Sequence, residues 1–251
     1  MSDSGNDVLV VIPTYNELDN LRVIVDGIAQ YHPSADVLIV DDNSPDGTGD
    51  LADQISAQRP NVHVLHRVEK RGLGRAYVAG LTWALDHRYE IIAQMDADMS
   101  HDPSYLPGLV ETARQYGLAL GSRYVSGGGV RNWGVVRRIL SRGGNMYARF
   151  VLGVDVRDLT GGFKCWRQDV LRDIGLSTVS SNGYCFQIET TYRALLRGHS
   201  VKEFPIVFSD RTSGRSKMSK AIMAEAVLKP WRLRALARTA SSGFATDDPA
   251  Q

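Results

Sequence analysis

The chain has 251 residues, 43% of them hydrophobic and 23% charged, values typical of a soluble globular protein with one large domain or one domain and a tail. A net charge of +1 excludes bulk attraction to nucleic acid, so any basic patch has to be local. No run of about 18 apolar residues occurs, and Met1 to Asp7 is too polar for a signal peptide, so neither a spanning helix nor a secretory leader is expected. The expectation is a cytoplasmic chain, at most peripheral on the cytosolic face of a membrane. Cys165 and Cys185 lack metal-ligand spacing and predict buried thiols in a reducing compartment.

Val8 to Ile12 is a continuous apolar run, as expected for a strand covered on both faces. Pro13-Thr14-Tyr15-Asn16-Glu17 breaks it, and Leu21, Ile24, Val25 and Ile28 follow at helical spacing. Val37 to Val40 predicts a second buried strand, closed by the turn cluster Asp41 to Gly47. A helix over Thr48 to Gln58, a strand over Val62 to Leu65 and a helix over Arg75 to Asp86 come next. Strands alternating with helices read as parallel-sheet units, so the fold class is α/β with a mainly parallel central sheet.

The fourth strand starts at Ile91 and runs into Asp96-Ala97-Asp98-Met99-Ser100-His101-Asp102-Pro103. In an extended segment Asp96 and Asp98 would share one face, where two carboxylates repel unless a cation joins them. A hard divalent ion that also binds substrate phosphates fits such a pair; solvated acids at a strand exit are the other reading. Polar clusters end three of the strands and are expected to converge on the carboxyl edge of the sheet, where ligands of open α/β sheets bind. No GxGxxG follows the first strand and no Walker-type loop is present, so a nucleotide has to be held by side chains. Asp42 suits ribose or base donors and Tyr15 suits stacking. Each also has a structural reading: Asp42 as a helix cap, Tyr15 as core, Glu17 as a first-turn helix acid.

The second half is less regular. Leu118 to Ser122 predicts a strand ending at Arg123-Tyr124, followed by Gly127-Gly128-Gly129. Val135 to Val151 mixes Val136, Ile139, Leu140, Met146 and Phe150 with Arg137, Arg138, Arg142 and Arg149, a pattern suited to an anionic lipid surface. Leu159 to Trp166 reads as a glycine-containing strand and Tyr184 to Leu196 as a helix, with Ile188, Tyr192, Leu195 and Leu196 on one face. Val201 to Phe208 reads as a strand that Pro205 confines to a sheet edge. Asp210 to Lys217 is a loop with cations suited to clamping phosphates. Lys217 to Arg238 is basic and amphipathic, with Pro230 expected to interrupt any single helix, and residues 239–251 read as a disordered tail.

The motifs VVIPTYNE, VDDNSPDGT, MDADMSHDP, LGSRY, LTGGFKCW, GYCFQIE and DRTSGRSKM, in that order, resemble the polyprenol-phosphate (dolichol-phosphate) mannosyltransferases among the inverting GT-A family 2 glycosyltransferases. The likeness runs from about residue 7 to 230. It implies a GT-A, Rossmann-like domain over residues 7–216; the basic, amphipathic composition of 217–238 suits either a membrane surface or a terminal helix packed on the core. It also implies transfer of mannose from GDP-mannose to a polyprenyl phosphate, with inversion and with Mg2+ or Mn2+ as cofactor. The implied donor contacts are Pro13, Tyr15, Glu17, Val40, Asp42, Asp96, Ala97, Asp98, Arg123, Arg211 and Lys217. Metal contacts fall on Asp96, Asp98 and Ser100, the last standing where some relatives carry a glutamine. Many relatives carry spanning helices or a partner-binding tail. Here the basic segment, or a separate membrane protein partner, would have to replace them.

An ionised lipid phosphate needs no general base to attack, so positioning and charge stabilisation remain as the catalytic tasks. Asp98, Arg123, Arg211 and Lys217 are the expected catalytic residues, and Arg138, Ser141, Arg142 and Arg211 the expected acceptor-phosphate contacts. Glu189 reads as a structural or arginine-orienting residue, with a base in hydroxyl-acceptor relatives as the other possibility. The rival activities are transfer of glucose or another sugar from a UDP-sugar to the same lipid, and nucleotide-sugar binding without turnover.

Overall fold

The structure, a computed structural model, describes residues 7–209 and 227–237. Arg211, Lys217, the rest of the predicted phosphate loop and the tail 239–251 lie outside the described residues. A strand β1 (Val8–Thr14) leads through helix α1 (Leu18–Tyr31) to β2 (Asp36–Asp41), and α2 (Thr48–Gln58) leads to β3 (Val62–His66). Helix α3 (Leu73–Asp86) crosses back to β4 (Ile91–Gln94), and α4 (Leu106–Tyr116) leads to β5 (Leu118–Ser122). After β6 (Gly129–Arg131) come α5 (Val135–Leu152), β7 (Lys164–Arg167), a short α6 (Gln168–Asp173), α7 (Gly183–Leu196), β8 (Val201–Pro205) and β9 (Val207–Ser209). A last helix, α8, occupies 227–237.

The large sheet has the order β3-β2-β1-β4-β7-β5-β8. Strands β1, β2, β3 and β4 are mutually parallel, as are β5 and β8. The chain moves outward from β1 to β3 and then returns to the other side of β1. The carboxyl ends of β1 and β4 therefore flank the reversal point, the crevice where an open α/β sheet takes its ligand. Alternation along β1 explains why its apolar run has no polar face. Val8, Val10 and Ile12 pack with Leu21, Ile24 and Ile28 of α1, while Leu9 and Val11 pack with Tyr77, Leu81 and Ala84 of α3.

Four sequence expectations need correction. The segment 159–166 is extended only from Lys164, and β7 runs antiparallel to both β4 and β5. An apolar run carries no information on strand direction. The predicted strand 201–208 divides at buried Ile206: β8 ends at Pro205 on the sheet edge, and β9 joins β6 in a separate two-stranded sheet. Leu196 is half exposed, so the apolar face of α7 stops short of it. Pro230 does not break α8. The helix continues through it over the described residues 227–237. No helix among the described residues is long and apolar enough to cross a membrane.

Helix α3 approaches the sheet closely because Gly80 faces it. A Cβ there would stand 2.5 Å from Val11 Cγ1 and 2.9 Å from Val40 Cγ2. Helix propensity alone favours Gly80→Ala by about 1 kcal/mol. Overpacking against two fixed strands opposes it by about 1–3 kcal/mol. We predict net destabilisation, seen as a lower urea midpoint at unchanged m-value; a raised midpoint contradicts the close approach.

Candidate active site

The end of β1 is wired to the end of β2. Thr14 Oγ1 donates to Asp41 Oδ1 at 3.0 Å, and Ser44 Oγ donates to the same oxygen at 2.6 Å. Ser44 Oγ in turn accepts the Asn16 N–H at 3.1 Å, and Thr48 Oγ1 accepts the Glu17 N–H at 3.0 Å. The turn after Pro13 is thus held by side chains of the β2–α2 loop. Helix α2 is started by Asp46, whose Oδ1 accepts the Thr48 N–H at 3.0 Å, so Asp42 is not its cap. Asp42 is buried and paired with Arg67, which follows β3. Burial pushes its carboxyl above the usual range by more than Arg67 draws it down. Tyr15 is half-buried, outside the core, with the Lys70 ammonium 3.4 Å from its ring centroid. Val40 and Pro13 beside it are buried, so a ligand could meet them only through backbone.

At the end of β4 the pairing with β1 closes with Met95 N–H on the Val11 carbonyl, and the chain bends. The two carboxylates therefore lie on a loop beyond the strand and not in its extended part. Asp96 Oδ1 accepts the Tyr77 hydroxyl at 2.7 Å, and the Asp96 N–H donates to His101 Nδ1 at 3.0 Å. Burial and the neighbouring Asp96 keep the Tyr77 pKa well above its ordinary value, so this hydroxyl remains a donor. Asp98 is buried, and its Oδ1 accepts the Ser100 N–H at 3.1 Å. Met99 between them adopts φ +61°, which turns the chain tightly enough for this bond. Ala97 is buried in the core.

Ser100 Oγ is buried with no hydrogen-bond partner among the described residues. Two carboxylates and an orphaned hydroxyl on one short loop form a hard-oxygen donor set that suits a magnesium-like cation. Among the described residues no group of three or more His, Cys, Asp or Glu side chains could hold a metal. An ion at Asp96, Asp98 and Ser100 would need further oxygens from a ligand such as a diphosphate.

Arg123, at the end of β5, is not an open clamp. Its Nε and Nη2 donate to the two oxygens of fully buried Asp158 at 2.7 and 2.6 Å, and its N–H donates to Asp158 Oδ2 at 2.9 Å. Nη2 also reaches Thr160 Oγ1 at 2.8 Å. Burial lowers the Arg123 pKa, but the Asp158 carboxylate outweighs that and raises it, so the guanidinium stays charged. Nη1 is the one corner not used by Asp158 or Thr160. The guanidinium carbon lies 5.4 Å from the ring centroids of both Trp133 and Phe208.

Those rings connect the two halves of the site. His101 meets Phe208 edge-on at 5.5 Å, and Phe208 meets Trp133 edge-on at 5.5 Å. An aromatic wall therefore runs from the acidic loop to Arg123. Beyond it lies α5: Tyr124 donates its hydroxyl to Ser141 Oγ at 2.7 Å, and the Arg142 guanidinium is 5.8 Å from the Tyr124 ring. The structure thus brings Ser141 and Arg142 to Tyr124, whose ring lies 5.3 Å from the Arg123 guanidinium carbon, and both Arg138 and Arg142 are exposed. Phe208 belongs to β9, and Asp210 and Arg211 follow that strand in sequence.

Glu189 is no free base. Its Oε1 accepts from Arg193 Nη2 at 2.7 Å and its Oε2 accepts the Ser181 N–H at 3.1 Å, while Lys229 of α8 lies 3.5 Å away. Burial raises its pKa, but Ser181, Arg193 and Lys229 together lower it, leaving a carboxylate that stays ionised. The arginine-orienting reading fits this arrangement. Sequence reading gave no role to Tyr77, Asp158, Lys164 or Gln187: Tyr77, Asp158 and Lys164 are distant in sequence from the residues they hold, and Lys164 and Gln187 stood only as members of the LTGGFKCW and GYCFQIE motifs.

Comparison with known proteins gives a consistent picture. The profile of Glycosyl transferase family 2 matches residues 9–175. The chain is 49% identical over 230 residues to a polyprenol monophosphomannose synthase of Mycolicibacterium smegmatis, covering 90% of this chain and 87% of the relative. It is 46% identical over 231 residues to an undecaprenyl-phosphate mannosyltransferase of Micrococcus luteus, covering 92% and 95%. In fold it is similar to glucosyl-3-phosphoglycerate synthase from Mycobacterium tuberculosis, solved with Mn2+, UDP and glucosyl-3-phosphoglycerate (TM-score 0.65, 18% identity, 92% of this chain and 80% of that one). It is also similar to a mannosyltransferase from Pyrobaculum calidifontis solved with GDP-Man and Mn2+ (TM-score 0.57, 18% identity, 97% and 76%). These likenesses bear out the GT-A, α/β expectation.

The buried Arg123–Asp158 pair has a direct consequence for stability. Asp158→Ala leaves a guanidinium buried beside three aromatic rings with no counter-charge, and is expected to cost about 3–5 kcal/mol. Equilibrium urea denaturation measures it. A loss below about 1 kcal/mol would mean that Arg123 finds water or another anion when Asp158 is gone.

Proposed function

The chain belongs to glycosyl transferase family 2, and on that footing we propose that it transfers a mannosyl group from GDP-mannose to the phosphate of a polyprenyl lipid, with inversion at the sugar carbon. Both relatives at 46–49% identity carry names that state a polyprenyl-type acceptor and mannose. The observation that carries the reading is the aromatic wall of His101, Phe208 and Trp133. It joins an acidic loop to a buried arginine and to a helix whose outer side is apolar.

The geometry suits this chemistry at each step. Asp96, Asp98 and Ser100 would hold a divalent cation of the magnesium or manganese kind, which would supply positive charge for a departing diphosphate. Tyr77 and His101 fix Asp96 by side chain and backbone, so the loop is organised before the donor arrives. Asp42, Tyr15, Glu17 and the backbone at Pro13, Val40 and Ala97 form the proposed nucleoside cradle. Arg123 Nη1, Ser141, Arg142 and Arg138, together with Arg211 and Lys217, receive the acceptor phosphate. Their cations offset the repulsion between two anionic substrates. No base is required, and the occupied oxygens of Glu189 agree with that.

A lipid acceptor needs a lipid-facing surface. Helix α5 exposes Val136 and Phe150 at 72% and 80%, alongside Val135, Ile139, Leu140 and Met146. Helix α8 lies beside it: Tyr147 donates its hydroxyl to the Val227 carbonyl at 2.6 Å, and Arg234 reaches the Val151 carbonyl at 2.5 Å. Trp231 and Leu236 extend the exposed apolar surface, with Arg138, Arg142 and Arg232 on exposed positions around it. In this reading the protein is peripheral on the cytosolic face, apolar side chains among acyl chains and arginines at anionic headgroups.

Incubating the protein with GDP-mannose or UDP-glucose and labelled polyprenyl phosphate is expected to give organic-extractable sugar from GDP-mannose only. A product from UDP-glucose alone would favour the glucosyl alternative, and donor binding without product the non-catalytic one. Asp98→Ala is expected to lower the rate by about two orders of magnitude or more with the fold intact, and chelation of divalent ions to do the same. Flotation with vesicles containing anionic lipid is expected to carry the wild type upward. The double change Val136→Asp, Phe150→Asp should leave most of the protein at the bottom, and flotation unaffected by it would refute the α5 surface.

A further inference from the structure

The Arg123 guanidinium is anchored on two sides, to the sheet and to helix α5. On the sheet side, Glu203 of β8 holds the loop that presents Asp158. Its Oε2 accepts the Arg157 N–H at 2.9 Å, and its Oε1 accepts the Asp158 N–H at 3.0 Å and the Ser122 hydroxyl at 2.6 Å. On the helix side stands Asn145, which is 2% exposed. Its Oδ1 accepts the Thr160 N–H at 3.2 Å, and its Nδ2 donates to Thr160 Oγ1 and to the Ser141 carbonyl, both at 3.0 Å. Thr160 Oγ1 also accepts from Arg123 Nη2 and donates to Asp158 Oδ1 at 3.3 Å, which fills the capacity of a hydroxyl. A bridge therefore runs from Asn145 through Thr160 to the buried arginine.

The first half of α5 has few other anchors. The buried residues of the helix are Asn145, Ala148, Val151 and Leu152, so none of residues 135–144 is buried. Gly143 and Gly144 stand just before Asn145, and a Cβ on either would meet nothing within 4 Å. Close packing does not require them, and each weakens a helix interior by about 0.5–1 kcal/mol relative to alanine. The turns that carry Arg138, Ser141 and Arg142 thus join the core across a weak point, at Asn145. Farther out, Ser141 takes the hydroxyl of Tyr124, the neighbour of Arg123 in sequence. A fully satisfied buried amide adds little net stability, but it specifies one geometry.

We propose that Asn145 is a positioning residue for the acceptor: through Thr160 it sets helix α5 in register with the Arg123 guanidinium, so that a lipid phosphate bound along α5 is presented to Arg123. The inference rests on the reading of sugar transfer to a lipid phosphate and adds a residue to it. Asn145 and Thr160 bond to Arg123, Asp158 and Ser141, and to none of the residues proposed above for the nucleoside or the cation. The effect of the bridge therefore falls on the acceptor and not on the donor.

Thr160→Val keeps the shape of the side chain and removes the bridging hydroxyl, Thr160→Ser restores it, and Asn145→Ala removes the other end. With GDP-mannose saturating, Thr160→Val and Asn145→Ala should each lower kcat/KM for polyprenyl phosphate by about tenfold. GDP affinity measured by calorimetry and KM for GDP-mannose should change by less than about twofold, and Thr160→Ser should stay as close to the wild type. The deciding measurement is a cycle with Arg123→Lys, which keeps a charge beside Asp158 but lacks the fork that reaches Thr160. In that background Asn145→Ala should add little, whereas an asparagine that only supports the fold would add its full effect. Should Asn145→Ala fail to fold, Thr160→Val takes its place in the cycle. If the wild type transfers sugar and neither variant impairs use of the acceptor, the inference is overturned alone. The same holds if GDP affinity falls as much as acceptor use, if Thr160→Ser is as impaired as Thr160→Val, or if the cycle is additive. If the wild type transfers no sugar to the lipid, the transfer reading falls and the inference with it.

Discussion

Asp96 commits one carboxylate oxygen to Tyr77 and its backbone N–H to His101, and these two bonds fix the acidic loop on which the site depends. Tyr77 comes from α3, the helix that crosses back over the sheet, and His101 is clasped between Phe163 and Phe208. The loop is therefore tied to both wings of the sheet at the point where strand order reverses. A carboxylate anchored in this way cannot swing to meet a cation. The ligand must fit the loop, which is the condition for electrostatic preorganisation.

Two buried cations flank this loop and do different work. Arg123 has a buried carboxylate to pair with and stays charged, so it can present positive potential to an anion while its own position is fixed. Lys164 has only a carbonyl and a hydroxyl as direct acceptors, and burial drives its pKa well below the ordinary value despite the pull of Asp158. Arginine resists the loss of charge on burial more than lysine does. The arginine suits a charge role; the lysine serves as a strut between β7 and α7.

Most of the first half of the fold was legible in the sequence because each element repeats one physical signal. The unbroken apolar run of β1 marks a strand covered on both faces, and the spacing of Leu21, Ile24 and Ile28 marks a helix that covers one of them. The DADMSHD cluster could be placed at the carboxyl edge for the same reason. The second half was harder because its determinants are relations between distant residues. That β7 runs antiparallel follows from pairing with both Gln94 and Leu120, which no local pattern records. Arg123 reads as a clamp until Asp158, 35 positions later, is found on its fork.

Helix α5 shows why composition could reach further than periodicity. Its arginines and large apolar residues together predicted a surface that no core would accept, and the structure leaves that surface uncovered among the described residues. Only its inner edge packs: Ala148 and Leu152 join Ile188 and Tyr192 of α7 and Leu233 of α8 in a small cluster. The helix that carries Ser141 and Arg142 therefore rests on α7. Where one helix both exposes an apolar face and presents polar groups beside Tyr124, a lipid tail and its phosphate can be bound by consecutive turns. Helices α5 and α7 share one frame, so a lipid phosphate held by α5, as proposed, would arrive already oriented toward the donor.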